Sequence, residues 1–267
     1  MNNVCLQRMM SKKAKFSMGD DTVIGGADDR FPATQWSAIA ALKTMSGDER
    51  TRTFAVVVET YWKPVYKYVR LKWGKTNEDA KDLTQGFFTV AMEKDFFKTY
   101  DPAKARFRTF LRTCLDGFVA NENKAAGRLK RGGGAAMLSL DFENAENELK
   151  DVSIPAGDTM DEYFEREWLR SLFGVAVQRL EEVCASKGKT THFQLFTKYD
   201  LNEDAGKRPT YETLAGEFGI SVTDATNYLA FARREFRAIV LKKLRELTMS
   251  DEEFRDEARR LLGVDPS

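Results

Sequence analysis

The stretch from Phe107 to Arg131 constrains the fold of this chain more than any other. Its apolar residues recur at three- and four-residue steps, which predicts one amphipathic helix whose apolar stripe faces a core. A helix of this kind needs packing partners, and the rest of the chain offers further helical patterns rather than strand alternation. The stripe consists of Phe107, Phe110, Leu111, Cys114, Leu115, Phe118 and Val119.

The same stretch is strongly basic. Between Lys104 and Arg131 there are eight basic residues against two acidic ones, a local excess of six positive charges, whereas the whole chain has a net charge of only +1. Any site for a polyanion must therefore arise from local segregation of charge, and this helix is the natural place for it. The alternative interpretation is an ordinary solvated helix face.

Length and cysteine content restrict the class of protein. A chain of 267 residues is long enough for two folded units of about a hundred residues each. Cys5, Cys114 and Cys184 are an odd number without CxxC spacing, which favours reduced thiols and a cytoplasmic location. No apolar run has the length of a signal peptide or approaches the roughly 20 residues of a membrane span, so we expect no membrane partner.

We therefore predict an all-α protein made of two small helical domains that an acidic linker joins. The linker prediction follows from ten acidic residues against two basic ones between Asp141 and Glu167. The predicted segments are a disordered leader at 1–30, a first helical domain at 31–131, a flexible acidic linker at 132–162, a helix-turn-helix domain at 163–249, and a tail helix at 250–267.

The predicted first domain also contains a helix with a polar face. Thr76, followed by Asp79 three residues later, resembles a capping box and begins the helix that contains EDAKDLTQGFF. Asp79, Asp82 and Gln85 then share one side of that helix. Two acidic side chains on one face could hold a metal ion, but no histidine or second acidic pair is placed to complete the site, so we expect no metal.

Two further patterns indicate binding of nucleic acid. The segment from Asp95 to Arg106 places aromatic residues beside lysines in a predicted loop, and an aromatic loop is able to stack a base. The run TYETLAGEFGISVTDATNYLAFARREF predicts a helix-turn-helix, with a turn at Gly219 and a second helix that Ser221 and Asp224 cap. Thr223, Thr226 and Asn227 fall on the outward face of that second helix.

These motifs, in this order, resemble a bacterial RNA polymerase sigma factor of the extracytoplasmic-function type. The resemblance rests on YWKPVYKYVRLKWGK, EDAKDLTQGFF, FRTFLRTCLDGFVANE and YETLAGEFGIS. The DLTQ and FF letters are its most specific element. It matches the family's region two at about Phe31 to Arg131 and its region four at about Tyr163 to Leu247, and so covers most of the chain.

The resemblance implies a non-catalytic subunit without a cofactor, whose partners are core RNA polymerase and promoter DNA. The resemblance also implies an anti-sigma factor as a third possible partner. The clamp helices of the largest polymerase subunit would contact Asp79, Asp82, Gln85 and Phe88. The minus-ten element and the unpaired strand would contact Phe96, Phe97, Lys98, Tyr100, Lys104, Arg108, Arg112, Asn121, Lys124 and Arg128. The minus-thirty-five element would contact Ser221, Thr223, Thr226, Asn227, Arg233, Arg234 and Arg237.

Two other functions compete with this one. A helix-turn-helix regulator that acts without core polymerase would share the second domain but would not need the first. A nuclease that uses Asp79 and Asp82 would be an enzyme, but a single histidine, no glycine-rich phosphate loop and no nucleophile beside a base argue against it.

The acidic linker has three interpretations. It could be a plain tether, a strand that imitates nucleic acid inside polymerase channels, or a shield that lies on the basic residues from Arg128 to Arg131. Only the second and third of these use its charge.

Overall fold

The computed structural model describes residues 37–94, 96–126, 140–150, 157–201 and 209–264 of the chain. These residues are helical, apart from turns and caps, and no strand occurs among them. The prediction of an all-α fold is confirmed for them. The helices are α1 (Ala38–Leu42), α2 (Gly47–Lys72), α3 (Asn77–Glu93), α4 (Phe107–Ala126), α5 (Phe142–Lys150), α6 (Met160–Ser186), α7 (Thr190–Asp200), α8 (Tyr211–Phe218), α9 (Val222–Glu246) and α10 (Asp251–Leu262), with a short 3₁₀ turn at Phe96–Thr99.

Local signals in the sequence determine where α3 and α10 begin. The hydroxyl of Thr76 accepts a hydrogen bond from the backbone N–H of Asp79 at 3.1 Å, as the capping-box pattern predicts. Ser250 accepts from the N–H of Glu253 at 3.2 Å at the start of α10. Each bond satisfies a backbone donor that the first turn of a helix leaves without a partner.

The chain divides into two compact units, which we call the N-terminal unit and the C-terminal unit. Phe31–Ser171 and Arg245–Glu257 belong to the first, and Leu172–Leu244 and Ala258–Ser267 belong to the second. The boundaries thus fall inside α6, α9 and α10 rather than in the acidic segment.

Aromatic rings from α2, α3 and α4 fill the core of the N-terminal unit. The ring of Phe107 packs edge-on against Tyr61 at 5.5 Å between centroids, and Phe87 packs against Phe118 at 5.8 Å. A Cβ atom at Gly86 would lie 3.3 Å from the ring of Phe118, so a glycine here lets α3 and α4 approach closely. Edge-to-face pairs of this kind add about 0.5–1.5 kcal/mol each beyond the area that they bury.

The prediction of a flexible linker is wrong for residues 142–150, which form helix α5 packed on α2. Phe142 is buried against Trp62, with 5.4 Å between ring centroids. Glu148 pairs with the buried Lys67 at 2.6 Å, and Glu146 pairs with Arg70 at 2.6 Å. The acids of this segment therefore neutralise cations of α2, while Phe142 packs in the apolar core.

The first part of the tail helix α10 also belongs to the N-terminal unit. The carboxylate of Glu253 accepts a hydrogen bond from the hydroxyl of Tyr100 at 3.0 Å and one from the backbone N–H of Phe107 at 3.4 Å. Ser37, at the start of α1, donates to the carbonyl of Thr248 at 2.5 Å. The C-terminal segment is thus a structural part of the first unit, and not only an appendage of the second.

The core of the C-terminal unit holds α7, α8 and α9 together through Leu195, Leu214 and Leu229, all fully buried. Between α8 and α9 the chain turns at Gly219, whose φ of +63° lies in the left-handed region that favours glycine. The hydroxyl of Ser221 then accepts from the N–H of Asp224 at 3.0 Å, which begins α9 where the capping pattern predicts it.

Several sequence predictions lie outside the described residues. These are the leader at 1–30, the basic residues Arg128 to Arg131, and residues 132–139 and 151–156 of the predicted linker. Among the residues that the structure does describe, no helix is both long enough and apolar enough to cross a membrane.

Candidate functional site

The polar face of α3 is exposed in its first two turns and half-buried at Gln85. Asp79 and Asp82 lie at the surface, and Gln85 is half-buried. The carboxylate of Asp79 also accepts a hydrogen bond from the hydroxyl of Thr76 at 2.8 Å. Asp82 is therefore the most accessible of the three predicted polar contacts.

Phe88, the fourth predicted polymerase contact, does not share this face. Its side chain is fully buried, and its ring packs against Phe54 at 6.1 Å and Phe87 at 5.4 Å between centroids. The prediction that Phe88 is a surface contact is wrong, because a helix whose apolar residues follow a 3.6-residue period turns this position toward the core.

Two of the aromatic residues predicted to stack bases belong to the core of the N-terminal unit. Phe97 is 1% exposed and stacks on Phe107 at 5.7 Å between centroids. Tyr100 is 2% exposed, and its ring contacts both Phe107 and Phe110 at 5.2 Å. The prediction of base contacts fails for both, whereas Phe96 is half-buried and keeps part of its ring at the surface.

The hydroxyl of Tyr100 is held in the same buried place. Burial is the main cause that raises the pKa of Tyr100 above its ordinary value, and the neighbouring carboxylate of Glu253 raises it further. The group therefore stays a neutral hydrogen-bond donor to Glu253, and its role is to join the segment before α4 to α10.

Arg108, predicted to contact DNA, is a buried member of an ionic network. Its guanidinium donates to both oxygens of Glu165 at 2.6 and 2.8 Å and to Glu257 at 2.9 Å, and it lies 4.4 Å from the ring centre of Trp168. Burial works to lower the pKa of Arg108, but these two carboxylates outweigh it and raise the pKa above its ordinary value. With 4% exposure, the side chain is satisfied within the unit and does not reach solvent.

Arg112, one turn further along α4, is partly used in the same way. Its guanidinium pairs with Asp161 at the start of α6 and lies 3.8 Å from Asp116, and it donates to the hydroxyl of Tyr68 at 3.4 Å. The acids that hold Arg108 and Arg112 come from α6, α10 and α4 itself. A count of charges from Lys104 to Arg131 could not detect the three that lie outside that range, Asp161, Glu165 and Glu257.

The remaining predicted contacts of this unit form a smaller polar surface. Lys98, Lys104, Asn121 and Lys124 are exposed, and Lys104 lies 3.5 Å from Asp101 in a pair that solvent screens. Arg128 lies outside the described residues. Among the described residues, the exposed predicted contacts of this unit are therefore three lysines and an amide rather than a continuous arginine stripe.

The outward face of α9 is open where sequence analysis predicted it. Thr223, Thr226 and Asn227 are exposed in the first two turns of the helix, directly after the turn at Gly219. Ser221 is exposed as well, but its hydroxyl also donates to the carboxylate of Asp224 at 2.7 Å as part of the helix cap. Three uncharged polar side chains therefore face solvent together at the beginning of a well-capped helix.

The three arginines of α9 that were predicted to contact DNA differ in their surroundings. Arg233 donates to both oxygens of Asp200 at 2.8 and 2.9 Å and lies 5.2 Å from the ring centre of Tyr199. Although burial acts in the opposite direction, Asp200 raises the pKa of Arg233. Arg233 is thus a structural residue, and its predicted phosphate contact is wrong, whereas Arg234 is exposed and Arg237 is half-buried.

The structure also gathers a basic and aromatic group that sequence analysis did not single out. Lys187 and Lys189, in the turn between α6 and α7, lie over the ring of Phe231 on α9, beside His192. The local signal was the SKGKTTH run around the only histidine of the chain, which carries no helical period and so passed as a loop.

Neither a known protein family, nor a curated protein, nor a solved structure matches this chain.

Proposed function

We propose that the chain is an RNA polymerase sigma factor of the extracytoplasmic-function type, which binds core polymerase and directs it to promoters. The observation that carries the proposal is the presence, in one all-helical chain, of two separate exposed polar faces. One is the beginning of α3 around Asp82, and the other is the beginning of α9 around Asn227. A subunit that joins an enzyme to DNA needs two such surfaces.

The face of α9 has the chemistry of a reader of base pairs. In helix-turn-helix proteins the N-terminal part of the second helix lies in the major groove and contacts base edges. An asparagine pairs with adenine through two hydrogen bonds, and threonine contributes hydroxyl and methyl contacts. The exposure of Thr223, Thr226 and Asn227 in the first two turns of α9, after the cap at Ser221, supports this role.

The face of α3 has the chemistry of a protein contact. Its acid and amide groups suit a partner helix that offers arginine and asparagine donors, and the buried Phe87 and Phe88 beneath it hold the helix rigid. The motif DLTQGFF, which carries the family resemblance, therefore divides between two tasks. Asp82 and Gln85 face the partner, and the two phenylalanines support them from the core.

The proposal is tested by adding the purified chain to core polymerase and measuring promoter-dependent transcription. Asp82→Lys should weaken binding to core polymerase by roughly 2 kcal/mol or more, because interface energy is concentrated in a few residues. Glu93→Lys is the matched control, since it makes the same charge change at an exposed position at the other end of α3. Equal binding of both variants would contradict the assignment of this face.

A second candidate function has an observation of its own. Phe97, Tyr100 and Arg108, which would hold an unpaired strand, are buried in the N-terminal unit, whereas the face of α9 is open. This favours a regulator that binds duplex DNA and needs no polymerase subunit. Tight, sequence-specific binding to duplex DNA without polymerase, together with no effect on transcription by core polymerase, would establish that function instead.

A further inference from the structure

Three cationic side chains converge on one aromatic ring in the C-terminal unit. The Nζ atom of Lys189 lies 3.6 Å from the ring centre of Phe231, and Nζ of Lys187 and Cζ of Arg234 each lie 5.5 Å from it. Phe231 is half-buried, so the cations above it stand at the surface. We call these four residues the lysine–aromatic patch.

The charge of this patch is only partly balanced. Lys187 pairs with Glu235 at 2.9 Å, but within the described part of the chain neither Lys189 nor Arg234 forms an ion pair. The faces of aromatic rings attract cations, which explains why the side chains gather there, yet like charges so close together repel each other. An anion between them would remove that repulsion. Arg108 and Arg233 need no such ligand, because carboxylates of the chain already neutralise them.

The patch continues the outward face of α9. Phe231 follows Asn227 by four residues and Arg234 follows it by seven, so all three share one stripe of the helix. When the beginning of such a helix lies in the major groove, its later turns leave the groove beside the sugar-phosphate backbone. The patch therefore lies where the next phosphates of a bound duplex would pass.

We propose that the lysine–aromatic patch binds backbone phosphates of duplex DNA beside the bases that α9 contacts. This inference rests on the DNA-binding part of the proposed function, but not on a contact with polymerase. Lysines act on phosphates as point charges and carry no sequence information, so the patch adds affinity and fixes the register of α9 without altering base preference. A surface on an acidic protein is the competing partner, and the continuity with the base-contacting stripe favours DNA over it.

The only histidine of the chain reports on this patch. The imidazole of His192 stacks on Tyr228 at 3.9 Å and meets Phe231 edge-on at 5.2 Å between centroids. Burial lowers the pKa of His192 below its ordinary value of 6.5, and the charge of Lys189 lowers it further. Tyr228, Lys187, Arg234 and Glu235 are the other charged or titratable groups around Phe231. A phosphate held by Lys189 would offset its positive charge and raise the pKa of His192.

The test follows the imidazole signals of His192 by NMR while short duplex DNA is added to the full chain. We expect the signals to shift and the pKa of His192 to rise. Affinities of about 10⁻⁴ to 10⁻⁶ M, typical of nonspecific DNA binding, are detectable in this way without polymerase. In the double variant Lys187→Ala, Lys189→Ala the DNA-induced shift should disappear. The salt dependence of binding should also fall by about one unit of slope for each lysine, with unchanged base preference.

The matched control is the double variant Arg179→Ala, Lys198→Ala. It removes the same charge from exposed side chains of the same unit, each of which pairs with a glutamate of its own. This control should keep the response of His192 to DNA.

Three outcomes would overturn the proposal. They are an unmoved His192 at saturating DNA, a lysine double variant that responds like the control, and a response to a polyglutamate peptide but not to DNA, which would assign the patch to an acidic protein. Failure of the transcription assay alone would leave the patch as part of a DNA-binding protein. Failure of the NMR test alone would leave the sigma-factor proposal in place.

Discussion

Helices α4 and α9 invite a direct comparison, because both are long, amphipathic and rich in arginine, and sequence patterns predicted DNA contacts on both. In α4 the arginines turn inward to carboxylates: Arg108 reaches Glu165 and Glu257. In α9 Arg233 is held in this way by Asp200, while Arg234 and the threonine and asparagine side chains before it remain exposed. A local excess of charge therefore indicates where cations are, but not whether they are available to a ligand.

Removal of Arg108 should have the largest effect on stability, because this arginine of α4 is buried. Deleting one partner of a buried ionic network costs about 3–5 kcal/mol. In Arg108→Ala the buried Glu257 would lose its pair with Arg108 and keep the one with Arg106. We expect Arg108→Ala to lower the free energy of unfolding by an amount of this order, measured by urea denaturation. Lys104→Ala, at an exposed position just before α4, is the control and should change it by less than about 0.5 kcal/mol. Unchanged stability together with weakened DNA binding would show that Arg108 is a DNA contact after all.

Two neighbouring arginines of α9 allow a half-buried pair and an exposed cation to be compared within one helix. Arg233→Ala removes a half-buried pair with Asp200 and should lower the free energy of unfolding by about 1–3 kcal/mol. Arg234→Ala should leave stability unchanged and weaken binding to all DNA sequences alike, with a salt slope smaller by about one unit. Urea denaturation and DNA titration measure the stability and the DNA affinity of each variant. If Arg233→Ala weakened DNA binding and Arg234→Ala lowered stability, the roles assigned to the two side chains would be wrong.

The acidic segment provides a smaller effect that depends on pH. Burial raises the pKa of Glu148, but the charges of Lys67 and Lys63 outweigh it and hold the pKa below its ordinary value of 4.5. A carboxylate of this kind contributes stability that is present above its unfolded pKa and is lost as pH falls through its folded pKa. The wild type should therefore lose stability as the pH drops below about 4.5.

Glu148→Gln tests that account of α5. The variant should be less stable than the wild type at about pH 7, and the difference should shrink as the pH falls through the lowered pKa of Glu148, because the wild-type carboxylate then becomes protonated as well. Glu143→Gln changes an exposed residue of the same helix and should match the wild type throughout. If both variants behave alike, the ion pair of Glu148 does not stabilise the packing of α5 on α2.

Features that depend on near neighbours could be read from the sequence. The all-helical character, the caps at Thr76, Ser221 and Ser250, and the turn at Gly219 involve residues within four positions of one another. The exposed stripe of α9 follows from helical period alone. These predictions did not depend on which helices pack against each other.

Features that join distant segments could not be read in this way. Arg108 meets Glu257 across 149 positions, and Lys67 meets Glu148 across 81. Neither pair leaves a periodic or local signal, so the basic helix looked like an open surface and the acidic segment looked like a linker. The lysine–aromatic patch could not be predicted either, because Lys189 and Phe231 are distant in the sequence and come together through the packing of α7 on α9.

The central claim is that this chain directs core polymerase to promoters through the outward face of α9. It is tested most directly by transcription from a promoter library with core polymerase, comparing the wild type with Asn227→Ala. The account predicts transcripts that require the chain and share an upstream element. It also predicts that Asn227→Ala loses preference at one base pair by about 1–3 kcal/mol. Transcription that does not depend on the chain would contradict the claim, and an unaltered base preference in Asn227→Ala would contradict the role of that side chain.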